Sequence, residues 1–203
     1  MFGIADYGAF VVAIIVFLAI PGPGNLALLA ATGKGGVRGG LAATLGVIAG
    51  DQVLLWLAVA GLSALLLSYP SFYGSLKWAG AAYLIGLGYS LFNAKLGSAP
   101  VLEMKSDRFF RQGLLITVLN PKAVVFYMAF FPLFVDPKIH QGLITFAVMA
   151  ATIAALTMAY GLVLVLLAHH LSERVRSSPL ATAILNKIAG ALLIGFGLKL
   201  VLF

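Results

Sequence analysis

Six long apolar runs dominate this sequence and restrict the folds that it can adopt. A helix needs about 20 predominantly apolar residues to cross the hydrocarbon core of a bilayer, and each run reaches that length. Because lipid offers no hydrogen bonds to the backbone, the expected fold is an all-α integral membrane protein with six transmembrane helices. The runs are about Gly8–Thr32, Leu41–Leu67, Phe72–Asn93, Gly113–Val135, Leu143–Ala168 and Leu180–Phe203.

The composition supports the same interpretation. Only 9% of the 203 residues are charged and 62% are hydrophobic, whereas a soluble domain carries about 25% charged residues. The absence of cysteine excludes disulfides, thiol redox chemistry and thiolate metal sites. The net charge of +7 does not predict nucleic-acid binding, because the basic residues lie in short loops between the apolar runs.

The distribution of lysine and arginine predicts the orientation in the membrane. Eight basic residues lie in the loops on one side and at most three on the other. Basic loops face the cytoplasm, so both termini are predicted to lie outside. The eight are Lys34, Arg38, Lys95, Lys105, Arg108, Arg111, Arg174 and Arg176, and the three are Lys77, Lys138 and Lys199.

A polar loop over residues 94–111 divides a single transmembrane domain into two sets of three spans, residues 1–93 and 112–203. Because three is odd, the two sets must insert with opposite topology. The segment Lys77–Ala81 resembles Lys187–Ala191, although small residues are common in membrane helices in any case. The pattern predicts two inverted three-helix repeats, an arrangement typical of secondary transporters.

Spans one and four are both interrupted. The first contains Pro21-Gly22-Pro23-Gly24-Asn25 and the second Asn120-Pro121-Lys122. A broken helix at membrane depth is tolerated where it is buried in protein or lines a wet cavity, and paired breaks in two repeats mark a substrate site. The alternative is an ordinary proline kink. The helix that restarts near Asn25 would present free N–H groups and a positive dipole end, which suit a carboxylate.

Asp51 is predicted to lie about 15 Å into span two, near the middle of a hydrocarbon core of about 30 Å. A charged group is costly there, so it must have a partner or be protonated. Two functional roles are open: it carries the coupling proton, or it binds a substrate ammonium. The structural alternatives are an ion pair and a hydrogen-bonded neutral acid.

Lys122 is predicted to be similarly deep in span four, and its role is equally open. The side chain could extend toward an interface, pair with Asp51, or bind a substrate carboxylate. Lys77 and Lys187 are better interpreted as interfacial anchors. His140, His169 and His170 lie at membrane edges without acidic companions, so no metal site is expected. No enzymatic motif and no cofactor site is present.

In these residues the chain resembles the LysE/RhtB family of amino-acid exporters over nearly its whole length. The resemblance is carried by Pro21-Gly22-Pro23, the glycine-rich stretch Gly39–Gly50 ending at Asp51, Lys77–Leu84, Asn120–Ala123 and Gly190–Leu200. Members usually have an asparagine directly after the second proline, whereas here Gly24 intervenes before Asn25. The resemblance implies amino-acid efflux across the inner membrane, driven by the proton gradient.

The sequence therefore predicts a secondary active exporter that works by alternating access. Pro21, Gly22, Pro23, Gly24, Asn25, Asn120, Pro121 and Lys122 would bind the substrate, and Asp51 would couple transport to protons. With one deep acid, a neutral amino acid fits better than lysine or arginine. The partners are an amino acid, a proton or other coupling ion and the lipid bilayer, with a homodimer left open. The alternative function is a passive channel or facilitator for small polar solutes.

Overall fold

The computed structural model describes residues 3–68, 104–105, 108–135 and 142–170, with scattered positions between 78 and 93 and between 184 and 198. Over these residues the protein is all-helical, and its one β-like contact is an isolated antiparallel bridge between Ile4 and Val135. The predicted third and sixth spans lie largely outside the described residues. The number of spans and the inverted repeat therefore stay predictions.

Five α-helices have defined bounds within the continuous stretches of described residues. They are α1 (Tyr7–Ala19), α2 (Pro23–Ser68), α3 (Phe109–Val118), α4 (Pro121–Val125) and α5 (Leu143–His170). Helix α4 continues as a π-helix over Phe126–Phe130 and a 3₁₀-helix over Phe131–Phe134.

Helix α2 consists of two helices that meet at Gly36. The backbone there has φ 60° and ψ −158°, a conformation that glycine adopts at little cost. Lys34 and Arg38, which the sequence places in a loop between spans one and two, therefore lie in helical turns on either side of a tight bend. Because Gly36 adopts this bend, the two helices of α2 do not need a longer loop between them.

Among the residues described, two helical stretches are long and apolar enough to cross a membrane. They are Leu143–His170 and Pro23–Gly61, and the second includes the bend at Gly36. Helix α1 is apolar but has 13 residues, which at 1.5 Å per residue span only about 20 Å. It is short because the predicted first span is divided between α1 and the first part of α2. Large apolar side chains point outward from these helices, as expected of surfaces that face lipid: Val12, Ile15, Leu45, Leu57, Val163 and Leu167.

Helix α2 lies at the centre and packs most extensively against α3 and α5. Glycines on α2 allow the approach to α3. A Cβ atom at Gly46 would collide with the backbone of Phe110 and Leu114, and one at Gly50 would lie 2.7 Å from Cβ of Thr117. Small residues allow membrane helices to approach closely in this way, so the missing side chains of Gly46 and Gly50 bring α2 and α3 into direct contact.

We expect Gly46→Ala to lower the free energy of unfolding by about 1–3 kcal/mol, because the added methyl group must separate two backbones. Thermal unfolding of the detergent-purified protein measures this change. Gly33→Ala is the matched control, since a Cβ atom there meets nothing within 4 Å, and it should be neutral or slightly stabilising. Equal melting temperatures for Gly46→Ala and the wild type would contradict the close approach of α2 and α3.

Candidate functional site

The first helix break lies between α1 and α2, at residues 20–22. Ile20 is extended, with φ −65° and ψ 117°, because the ring of a following proline disfavours the helical conformation. Pro21 and Pro23 have no N–H, so the carbonyl groups four residues earlier in α1 lose their usual donors. The break is shorter than the sequence suggests. Pro23 starts the next helix, since proline fits the first turn, where its N–H would be unpaired anyway.

Lys122, which follows the second break, donates hydrogen bonds to carbonyl groups at the end of α1. Its Nζ donates to the carbonyl oxygen of Phe17 at 2.9 Å and to that of Ile20 at 2.8 Å. The same Nζ lies 4.5 Å from the centre of the Phe17 ring, a favourable cation–π distance. A side chain from the second broken helix thus bonds to carbonyl groups at the break in the first.

Asn25 also donates hydrogen bonds to carbonyl groups at the first break. Its Nδ2 donates to the carbonyl oxygens of Leu18 and Ile20 at 3.0 and 3.3 Å, and it lies 3.1 Å from the hydroxyl of Tyr160 on α5. The carbonyl oxygens of Phe17, Leu18 and Ile20 are therefore already bonded in this conformation. A ligand must compete for them or for the side chains that hold them.

The second break lies at Leu119 and Asn120, between α3 and α4. Asn120 is extended before Pro121, with φ −75° and ψ 112°, for the same steric reason as Ile20. Its side-chain oxygen accepts a hydrogen bond from the backbone N–H of Lys122 at 3.1 Å, which is an N-cap interaction. This cap fixes the turn from which the Lys122 side chain crosses to α1.

Asp51 is buried in the middle of α2, with 2% of its surface exposed. The hydroxyl of Thr157 on α5 donates to its Oδ2 at 3.3 Å, and the side chain of Tyr127 in the π-helix also forms a hydrogen bond with it. Asp51 and Lys122 interact electrostatically, yet the structure contains no direct ion pair between these two described residues. Three elements thus hold a buried acid near a half-buried cation, without a direct ion pair between them.

Asp51, Lys122 and Thr157 line one cavity. It has a volume of about 40 Å³, room for about three water molecules at about 10–15 Å³ each. Six of the nine predicted site residues contribute to its wall: Gly22, Gly24, Asn25, Asp51, Asn120 and Lys122.

Pro21 and Pro23 are not among the described residues of that wall, and the side chain of Pro121 lies outside the described part of the structure. They shape the breaks that bring the wall residues together. Sequence reasoning missed the hydroxyl groups of the wall, because threonine and tyrosine in an apolar run carry no positional signal. The missed polar residues are Thr117, Thr157 and Tyr160, and the apolar ones are Phe17, Leu18, Leu28, Val47 and Ala123.

Broken apolar helices around a buried acid and a half-buried lysine are typical of a helical membrane transporter. The chain belongs to the LysE type translocator family, which it matches over residues 15–202. The family resemblance inferred from the sequence is thereby confirmed.

Several relatives are similar over nearly their whole length. An uncharacterized membrane protein of Pseudomonas aeruginosa is 32% identical over 98% of this chain and 95% of the relative. The leucine efflux protein of Salmonella typhimurium is 29% identical over 98% of this chain and 96% of the relative. That of Klebsiella pneumoniae is 27% identical over the same shares of both chains. No solved structure matches the chain significantly.

Proposed function

We propose that this protein is a secondary active exporter of neutral amino acids across the cytoplasmic membrane, driven by the proton gradient. The observation that carries the proposal is the cavity at the two helix breaks, whose wall contains both Asp51 and Lys122. The two side chains interact electrostatically without pairing directly. An acid and a base in the wall of one cavity match the two charges of an amino acid. Membership of a translocator family and the similarity to leucine efflux proteins support the same function.

The zwitterion would bridge the two charged side chains. Its carboxylate would lie between Nζ of Lys122 and the first free N–H groups of α2, because Gly22, Gly24 and Asn25 form that side of the cavity. Its ammonium would bind the carboxylate of Asp51. Each buried charge would then have a partner, which is the condition for keeping ionised groups at membrane depth.

The described wall of the cavity favours a neutral aliphatic substrate. It holds one acid and one base, so a second charge on the substrate side chain would have no counter-ion there. The remaining wall is mostly apolar, formed by Phe17, Leu18, Leu28, Val47 and Ala123. An aliphatic side chain gains free energy on contact with such a surface. Since the cavity has room for only a few waters, the substrate side chain requires a wider conformation.

Binding would also change the contacts that close the first break. If a substrate carboxylate bound Nζ of Lys122, the carbonyl oxygens of Phe17 and Ile20 would lose their hydrogen bonds to it. A ligand shifts a conformational equilibrium only through contacts that differ between the two states, and this exchange of partners provides such a difference. Alternating access would follow from movement of one repeat against the other around the site, with the basic loops and the substrate-loading side facing the cytoplasm.

Transport by purified protein in liposomes tests the function. We expect saturable counterflow of labelled L-leucine, and leucine accumulation against its concentration gradient when a pH gradient is imposed. Lysine and glutamate should compete poorly, since the site has no place for a third charge. Protein-free liposomes give the background. A flux that does not saturate and ignores the pH gradient would instead indicate the alternative, a passive facilitator.

A further inference from the structure

The buried hydroxyl group of Thr117 is the one polar side-chain atom in the described part of the protein that is fully buried without a hydrogen-bond partner. Thr117 lies in the last turn of α3, is 3% exposed, and forms part of the cavity wall. A buried hydroxyl without a partner costs free energy. In a folded protein such a group requires an explanation, and one explanation is that the hydroxyl forms a hydrogen bond with a ligand.

Other buried or partly buried threonines show the hydrogen bond that a threonine hydroxyl ordinarily forms inside a helix. The hydroxyls of Thr32, Thr44 and Thr152 each donate to the carbonyl oxygen four residues earlier, at 2.7, 3.0 and 2.8 Å. This is the usual solution for a threonine inside a helix. Thr117 does not use it. Thr157 does not use it either, and its hydroxyl reaches Asp51 across the same cavity.

The position of Thr117 is fixed by its contact with α2. A Cβ atom at Gly50 would lie 2.7 Å from Cβ and 2.9 Å from Cγ2 of Thr117. The side chain therefore packs directly against the residue before Asp51, and the same residue contributes to the cavity wall. Thr157 and Thr117 are thus two hydroxyl-bearing residues of this wall. The hydroxyl of Thr157 is bonded to Asp51, and that of Thr117 has no partner.

We propose that the Thr117 hydroxyl forms a hydrogen bond with the charged headgroup of the amino-acid substrate. This inference rests on the proposed function and adds a binding residue to the site. Threonine fits the task because a hydroxyl group can either donate to a carboxylate or accept from an ammonium. The substrate would supply the hydrogen-bond partner that the Thr117 hydroxyl lacks in the protein. Part of the binding free energy would therefore come from removing the cost of that unpaired hydroxyl.

The test compares Thr117→Val and Thr117→Ser with the wild type, using L-leucine as the probe. Valine keeps the shape and removes the hydroxyl, and we expect about ten-fold weaker leucine binding, in line with a hydrogen bond to a charged group. Serine keeps the hydroxyl and should restore most of the affinity. The measurements are the half-saturating leucine concentration in counterflow and the leucine-induced rise in melting temperature.

The melting temperature without leucine separates a binding role from a structural one. Removing a hydroxyl that has no partner should leave the melting temperature of Thr117→Val unchanged or raise it. Thr44→Val is the matched control, because it removes a buried hydroxyl that is bonded within its own helix away from the cavity wall. It should lower the melting temperature and leave the leucine affinity unchanged.

The outcomes distinguish the two proposals. Wild-type leucine counterflow together with unaltered leucine affinity in Thr117→Val would overturn the role of Thr117 and leave the exporter proposal intact. A loss of affinity in Thr117→Val that serine does not restore would also overturn it, because shape rather than the hydroxyl would then matter. If the wild type neither transported nor bound an amino acid, both proposals would fail together.

Discussion

Asp51→Asn is expected to abolish the accumulation of leucine against its gradient while leaving a folded protein. Asparagine has nearly the same shape as aspartate and still accepts a hydrogen bond from Thr157, but it cannot bind and release a proton. Removing a charge from membrane depth also removes its burial cost. We expect counterflow at saturating leucine to persist, with an affinity lower by about 10–100-fold because a neutral amide replaces a charged partner of the ammonium.

The measurement is leucine transport in liposomes with and without an imposed pH gradient. Asp6→Asn is the matched control. Asp6 is an exposed acid that caps α1 by accepting from the N–H of Ala9 at 2.9 Å, and asparagine caps helices equally well. It should behave as the wild type. Gradient-driven accumulation at the wild-type level in Asp51→Asn would show that Asp51 is structural and that another group couples transport.

Lys122→Met is expected to lower the free energy of unfolding by about 1–3 kcal/mol and to abolish transport, because it removes a charged hydrogen-bond donor and a cation that interacts with the buried Asp51. The carbonyl oxygens of Phe17 and Ile20 would also lose their donor. Methionine keeps the length and apolar character of the side chain, so the effect reports the ammonium group rather than packing. Denaturant or thermal unfolding in detergent measures the stability, and leucine counterflow measures the function.

Two further variants make this result specific. Lys34→Met removes an exposed lysine near the Gly36 bend and should change stability by less than about 0.5 kcal/mol. The double variant Asp51→Asn, Lys122→Met should be more stable than the sum of the single effects predicts, by about 0.5–3 kcal/mol, as expected for residues that interact. Unfolding of Lys122→Met at the wild-type temperature would mean that Lys122 does not hold the first break.

Much of this architecture follows from local rules that act within a few residues. Prolines at 21, 23 and 121 interrupt a helix wherever the chain places them, because each lacks an N–H and restricts the residue before it. The close contact at Gly46 follows from a missing side chain. These are reasons why the all-helical character, the interruptions and six of the cavity residues could be predicted from the sequence. The extent of the first break was overestimated, since Pro23 is better suited to begin a helix than to extend a loop.

The partners of the site residues were decided only by the tertiary structure. The sequence left Lys122 three roles, and the fold directs its ammonium group onto the carbonyl oxygens of Phe17 and Ile20, more than 100 residues away in the chain. It likewise brings Thr157 and Tyr127 to Asp51. Hydrogen bonds act over about 3 Å, so a pairing between distant segments depends on how the helices pack, which no local pattern encodes. The sequence thus determined which groups lie deep in an apolar chain, while packing determined which of them meet and left the buried hydroxyl of Thr117 without a partner.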